Sequence, residues 1–280
     1  MKNNCHTLLQ KKVKLNDVDL LTVSGSRLYG TNIETSDWDY RGFLLPPIEF
    51  IVGIYKFDCM ELPEEDHKVY NLKRFIDLVF QGDPQQTELL FTKGNQIKKI
   101  SSVGQKILDN RDIFISRNIE RRILGYSYSE WRKAMCQKMV MEKRTKTEDD
   151  VIADIRNVFS PDKSDMDEMI DILFANKEKK IVSSVSNLGS KRKAEWKKWG
   201  FCTSSAAHSI RLVGQLYELM TTGKITFPRP NADQLKDIRY GRLSKSEVEE
   251  IYEAERMRAE EVREHSVLPQ KPNKKKIDDL

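Results

Sequence analysis

At 280 residues the chain is long enough for one large domain or two ordinary ones with ample core. With 39% hydrophobic and 32% charged residues it reads as a soluble globular protein, and its net charge of +5 permits an anionic partner without demanding one. Four cysteines with no CxxC pair argue against a zinc site or a disulfide framework, and no apolar run approaches the roughly 18 residues that span a bilayer. The first residues, MKNNCHTLLQKK, show no secretory apolar region, so the expectation is a cytoplasmic protein with free thiols and no membrane association.

In chain order, the first hundred residues read as mixed α and β. Val18 to Val23 is a short apolar strand that runs into Ser24-Gly25-Ser26, and Trp38 to Leu45 reads as a second strand closed by Pro46-Pro47. Ile51 to Phe57 and His67 to Leu72 are candidate third and fourth strands. A helix follows with Leu72, Phe75, Ile76 and Val79 on one face, stopping at Gly82. Asp83-Pro84 opens another helix, with Asp as N-cap and Pro at the first helical position.

Beyond about residue 100 strand signals fade. Ile115 to about Lys143 has a helical pattern, the stretch 148–171 is acidic with a turn at Ser160-Pro161, and 177–198 is strongly basic. From Ser205 an amphipathic helix runs to Met220, with Gly223 as its C-cap. Ser244 and Glu247 form a capping-box pattern that opens a last charged helix. The expected layout is α+β: a mixed sheet with flanking helices over 1–100, a helical domain over 101–268, and a disordered basic tail over 269–280.

The segment VSGSRLYGTNIETSDWDYRGFLLP, Val23 to Pro46, carries the chemistry. Alternate strand residues share a face, so Asp37 and Asp39 are expected to project to one side, where two carboxylates repel unless a cation lies between them. Gly25 to Gly30 gives GxxxxG, but Thr-Asn follows rather than Lys-Ser/Thr, which excludes a phosphate-binding P-loop. No GxGxxG is present there. DWDYRG fails as a calcium loop because Arg41 takes its fifth place and Ile48 its twelfth. A Gly-Ser turn that presents backbone N–H groups to phosphate, beside two same-face aspartates that share Mg²⁺ ions, remains. Two such metals stabilise the attacking and leaving oxygens of an in-line displacement.

GSRLYGTNIETSDWDYRG resembles the Gly-Ser, gap, Ser-Asp-x-Asp pattern of the DNA polymerase beta-like nucleotidyltransferase superfamily. It is most similar to the branch of uncharacterised "predicted nucleotidyltransferases" of bacteria and tailed phages, whose motif reads roughly GSxxYGxxxxxSDxDxxG. The segments from Asp66 to Phe91 and from Ala206 to Pro230, the latter with its His-x-x-Arg-Leu, extend the resemblance over most of residues 20 to 250. Two positions depart from it: Asp83 stands where the branch has Asn, and Ser204-Ser205 where many relatives carry a lysine.

The resemblance implies an enzyme that moves an NMP from an NTP onto an acceptor hydroxyl and releases pyrophosphate, with Mg²⁺ or Mn²⁺ as cofactor. Gly25 and Ser26, with Ser36, would bind the nucleotide, and Asp37, Asp39 and Asp66 would ligate the metals. Spacing alone leaves Asp58, Glu64 and Glu65 as rivals to Asp66. His208 and Arg211, three apart on one helix, are candidate anion contacts. Lys193 and Trp196 belong to a basic, aromatic-bearing segment suited to RNA. The acceptor is expected to be RNA, perhaps a tRNA end, or a protein. The rival reading is a non-catalytic nucleotide- or RNA-binding protein on the same fold; the intact Asp37 and Asp39 favour the enzyme.

Overall fold

The computed structural model describes residues 17–34, 36–52, 57–62, 66–135 and 190–280, and the side chains of Leu62, Asp66, Ser190 and Lys191 lie outside that description. The acidic stretch 148–171, residues 177–189 of the basic segment 177–198, and Glu64 and Glu65 fall outside it as well.

The N-terminal part is a five-stranded mixed sheet in the order β3-β4-β2-β1-β5. Its strands are β1 (Leu20–Ser24), β2 (Asp39–Leu44), β3 (Cys59–Leu62), β4 (Asp66–Asn71) and β5 (Ile97–Ile100). Strand β1 is an interior, largely apolar strand, every residue buried, and pairs antiparallel with β2 and with the edge strand β5. Strands β2 and β4 run parallel, which sets Asp39 opposite Asp66 and Arg41 opposite Lys68. Two short helices, α1 (Gly25–Tyr29) and α2 (Ile48–Ile51), follow β1 and β2.

Helix α3 (Leu72–Phe80) forms where the 3.6-residue pattern predicts it, and the Asn71 side chain caps it by accepting from the Lys73 amide at 2.8 Å. Helix α4 (Pro84–Leu89) starts on Asp83, whose carboxylate accepts from the Gln86 amide at 3.1 Å. Helix α5 (Ser102–Asp109) is capped by Ser101, whose hydroxyl also donates to Asp19 at 2.6 Å and so ties the helix to the start of β1.

Helices dominate the rest: α6 (Asn118–Met135), α7 (Ser190–Trp199), α8 (Thr203–Thr222), α9 (Ala232–Arg239), α10 (Lys245–Glu261) and α11 (Lys274–Asp278). Helix α8 is the axis of this part. It meets α6 through the buried Ser127–Ser209 hydroxyl contact of 2.9 Å, and Trp131 of α6 stacks on Tyr252 of α10 at 3.8 Å between centroids. Gly223 ends α8 in the left-handed region at φ 69°, as its C-cap role requires. Apolar residues from the sheet and from these helices form one continuous core.

Three expectations change. The sequence from Ile51 does not open a strand: Ile48–Ile51 is a helical turn behind Pro47, and residues 53–56 lie outside the description. The short strands β3 and β5 were not expected. The tail is ordered, because the Asn273 amide donates to the Ile113 carbonyl at 2.9 Å, and Ile277 and Leu280 pack against the core. That apolar pair turns a charged peptide into a docked helix.

Candidate functional site

The Gly-Ser turn sits between the end of β1 and α1. Gly25 adopts φ +62°, and a Cβ built there would lie 2.0 Å from Oδ2 of Asp39. Only glycine therefore lets the carboxylate rest against the turn. Asp39 itself heads β2, paired with Ser24 on one side and, through the backbone register, with Asp66 on the other. Gly25, Ser26 and Asp39 line a cleft of about 300 Å³.

Asp37 stands apart. The strand starts at Asp39, so the alternation that was to align the two aspartates does not reach residue 37, which is exposed and outside the cleft lining. The loop that carries it is fixed by Arg27, which donates to the Asp37 carbonyl at 3.2 Å and to the Ser36 carbonyl at 2.7 Å. The Ser36 hydroxyl accepts from the Ile33 amide at 2.9 Å. Ser36 thus shapes the loop and does not line the cleft.

The opposite wall comes from the helical part. His208 and Arg211 of α8 both line the cleft, together with Arg41 of β2, Arg192 of α7, Arg239 of α9 and Glu130 of α6. Arg211 is 4% exposed and binds Glu88, 1% exposed, at 2.7 Å. It also donates to Gln215 at 2.7 Å, and its guanidinium lies 3.8 Å from the centre of the Tyr29 ring. The Tyr29 hydroxyl in turn donates to the other Glu88 oxygen at 2.6 Å. Burial opposes the Arg211 charge, but Tyr29 and Glu88 hold its pKa above the ordinary value. Burial drives the Tyr29 pKa up, so its hydroxyl stays protonated.

His208 is half-buried in this wall. Burial, then the positive charge of Arg211, push its pKa down to about 3, so the ring is neutral at physiological pH. Glu130 accepts from Lys133 at 2.6 Å and faces Arg192 at 3.9 Å. Burial works against its charge, but His208, Lys133 and Arg192 together hold the carboxylate below its usual range. Arg239 donates to the Thr31 carbonyl, and burial lowers its pKa. Four arginines thus line one half-open cleft beside Asp39 and Glu130, donor chemistry that would suit an oxygen-rich anion.

A profile of the family described as the RNA repair pathway DNA polymerase beta family, RlaP, matches residues 1–274. The chain belongs to the RlaP family. A search of curated proteins finds an uncharacterised 38.9 kDa protein of Enterobacteria phage T4, from the nrdC-mobD intergenic region, 30% identical over 115 residues. That match covers 36% of this chain and 34% of the phage protein, so it spans about a third of the relative's length. No solved structure matches. RlaP membership bears out the polymerase beta-like nucleotidyltransferase resemblance and the α+β reading of the fold. No helix among the described residues is long and apolar enough to cross a membrane.

In this RlaP chain the cleft brings together Gly25, Ser26, Asp39, His208 and Arg211 from the residues expected by sequence. Lys193 is exposed on α7 and outside the lining. Trp196 is 2% exposed and donates to the Lys133 carbonyl at 3.4 Å, so it anchors α7 to α6 and offers no ring for stacking. Among the described residues no three His, Cys, Asp or Glu side chains form a group that could hold a metal. The donors nearest to that role are Asp39 in its glycine-floored seat, Asp66 at the paired position of β4, and Asp37 on the adjacent loop. All are carboxylates, the donor chemistry of a hard divalent cation, and so fit Mg²⁺ or Mn²⁺.

Sequence reasoning passed over Arg41, Glu130 and Arg239. Arg41 was within reach: it lies two residues after Asp39 and shares its strand face. Glu130 and Arg239 reach the cleft only through the packing of α6 and α9, which no local pattern encodes.

Proposed function

We propose that the chain is a divalent-metal-dependent nucleotidyltransferase that transfers an NMP from an NTP to a hydroxyl of RNA. The supporting observation is the seat of Asp39 against Gly25 on the floor of an arginine-lined cleft. Asp39 and Asp66, with Asp37 recruited from its exposed loop, would hold Mg²⁺, which supplies charge neutralisation at the reacting phosphate and its leaving oxygen.

The chain's own groups do the rest. Arg41, Arg192 and Arg239 bind and orient the triphosphate. Arg211, already committed to Glu88, contributes its field and fixes the wall more than it contacts the ligand. Neutral His208 offers a hydrogen bond without adding charge. The acceptor oxygen attacks the α-phosphorus, the bond to the β-phosphate oxygen breaks, and pyrophosphate leaves with the negative charge that the arginines receive. The acceptor's proton passes to solvent. The RNA acceptor is supported by the RNA repair description of the family.

The test incubates the full chain with Mg²⁺ or Mn²⁺, each α-³²P-labelled NTP and total cell RNA or, separately, total cell protein. Asp39→Asn is the control. Label in RNA that Asp39→Asn abolishes, by about 10³-fold or more for a lost metal ligand, is the expected result. Label in protein alone would replace the RNA acceptor. One observation favours the rival, a nucleotide- or RNA-binding protein without catalysis: Asp37 lies outside the cleft lining. That reading predicts NTP binding with no label transfer to either pool.

A further inference from the structure

Trp38 lies between the two motif aspartates and is 44% exposed, although it is one of the largest apolar side chains in the molecule. It is also held. The Arg27 guanidinium sits 4.1 Å from the centre of its ring, and Tyr40 stacks on it at 6.0 Å with 8° between planes. The stack continues across the parallel strand pair, since Tyr40 and His67 are 4.7 Å apart with 11° between planes. Tyr40 and His67 are buried, so the row runs from the interior of the sheet out to Trp38 at the surface.

Lys98 of β5 completes the arrangement. Its ammonium lies 5.4 Å from the Trp38 ring and 5.9 Å from Tyr40, and its side chain is exposed. Among the described residues it has no carboxylate partner in an ion pair. Arg27 spends its donors on the Ser36 and Asp37 carbonyls, which makes it a strut for the loop and the ring. The surface therefore presents a rigid indole with an available cation beside it, one residue from Asp37 and one from Asp39.

We propose that Trp38 and Lys98 form a docking platform for single-stranded RNA. The indole stacks on a base near the strand's end, and Lys98 meets the flanking phosphate. This rests on the nucleotidyltransferase reading above for the direction in which the strand points, toward the carboxylates. The chemistry selects a single strand: a base face is available only where the strand is unpaired, and a pre-stacked aromatic loses little freedom on contact. The two cations at the ring, Arg27 and Lys98, suit a phosphate-bearing strand. The platform supplies the aromatic contact that Trp196, being buried, does not.

The test is fluorescence anisotropy of a 5′-labelled 12-nucleotide single-stranded RNA with the full chain, beside the same sequence as a duplex. Native protein is expected to prefer the single strand. Trp38→Ala should weaken that binding about 5- to 150-fold, the span of one base–aromatic stack, and Trp38→Phe should retain most of it. Lys98→Glu should weaken it too and flatten its salt dependence by about one phosphate contact.

An NTP·Mg²⁺-induced thermal shift, retained in each variant, shows that the chain is folded. Should Trp38→Ala not fold, Lys98→Glu and Trp38→Phe carry the test. Unchanged affinity in Trp38→Ala and Lys98→Glu, equal binding of duplex, or no binding of single-stranded RNA by the native chain would each overturn the proposal. Trp38-dependent binding without label transfer would instead leave the platform standing and remove the enzyme.

Discussion

At the seam between the helical part and the sheet part, Arg211 and Glu88 are almost wholly buried, 2.7 Å apart, with Tyr29 and Gln215 taking up further hydrogen-bonding capacity. On the sheet side, Asp39 is only half-buried, and Asp37 stands in solvent on a loop held by Arg27. Two pairs of charged residues that look alike in a sequence thus sit in different environments. The seam charges, Arg211 and Glu88, bind each other and tie the two parts together. Asp39 instead lines the arginine-bearing cleft, and Asp37 stands at the surface outside its lining.

The comparison breaks most visibly at Glu88. Glu88→Ala leaves the Arg211 guanidinium buried without its carboxylate, and is expected to cost about 3–5 kcal/mol, a fall in Tm of about 10 °C, by calorimetry. Asp39→Asn should leave Tm nearly unchanged while label transfer disappears. Were both to behave alike, the division between a structural and a functional wall would be wrong.

Gly25→Ala probes the floor. The new methyl meets Asp39 Oδ2 in a backbone region that L side chains disfavour, so about 1–3 kcal/mol of stability should go. Transfer activity should fall by more than that loss explains, measured as kcat/KM at a temperature where the variant is fully folded.

A smaller effect separates the walls by pH. Native His208 has a pKa of about 3 against about 6.5 unfolded. As pH falls from about 6.5 toward 3, the unfolded chain takes up a proton that the native chain refuses, so stability falls, by at most about 1.4 kcal/mol per pH unit. Arg211, Arg192 and Lys133 oppose protonation and Glu130 favours it; the depressed Glu130 adds a loss of the same sign lower in pH. His208→Gln should flatten the slope of urea-derived stability between pH 6 and 4. The smallest effect lies away from both walls: Ser244→Ala removes the cap that accepts from the Glu247 amide at 3.3 Å and should cost about 1 kcal/mol, with transfer unaffected.

How much of this was legible in the sequence depended on how local the cause was. Asp83, Ser244 and Gly223 act within a few residues, and the helix ends they imply are where the structure has them. Strand β5, IKKI, was too short and too charged to show alternation, and exists because β1 offers it an edge. Strand β3 depends likewise on β4.

The floor of the site was readable because a glycine with a special φ and its carboxylate lie within fifteen residues of each other. The far wall was half-readable: His208 and Arg211 were candidates by spacing, but their partners Glu88, Tyr29 and Glu130 come from other elements. Trp196 was misplaced for a related reason, since a helix reading SKRKAEWKKW shows which residues are apolar but not that the ring turns inward against α6.

The Tyr29–Glu88–Arg211 cluster also sets a limit on modularity. Tyr29 and Glu88 belong to the first hundred residues and Arg211 to the helical part, and the Arg229 amide donates to the Tyr29 carbonyl at 3.0 Å across the same seam. The sheet unit therefore cannot be cut out as a cassette without stranding a buried carboxylate. Any chimera that grafts a new helical half onto this sheet must import a guanidinium at the place of Arg211.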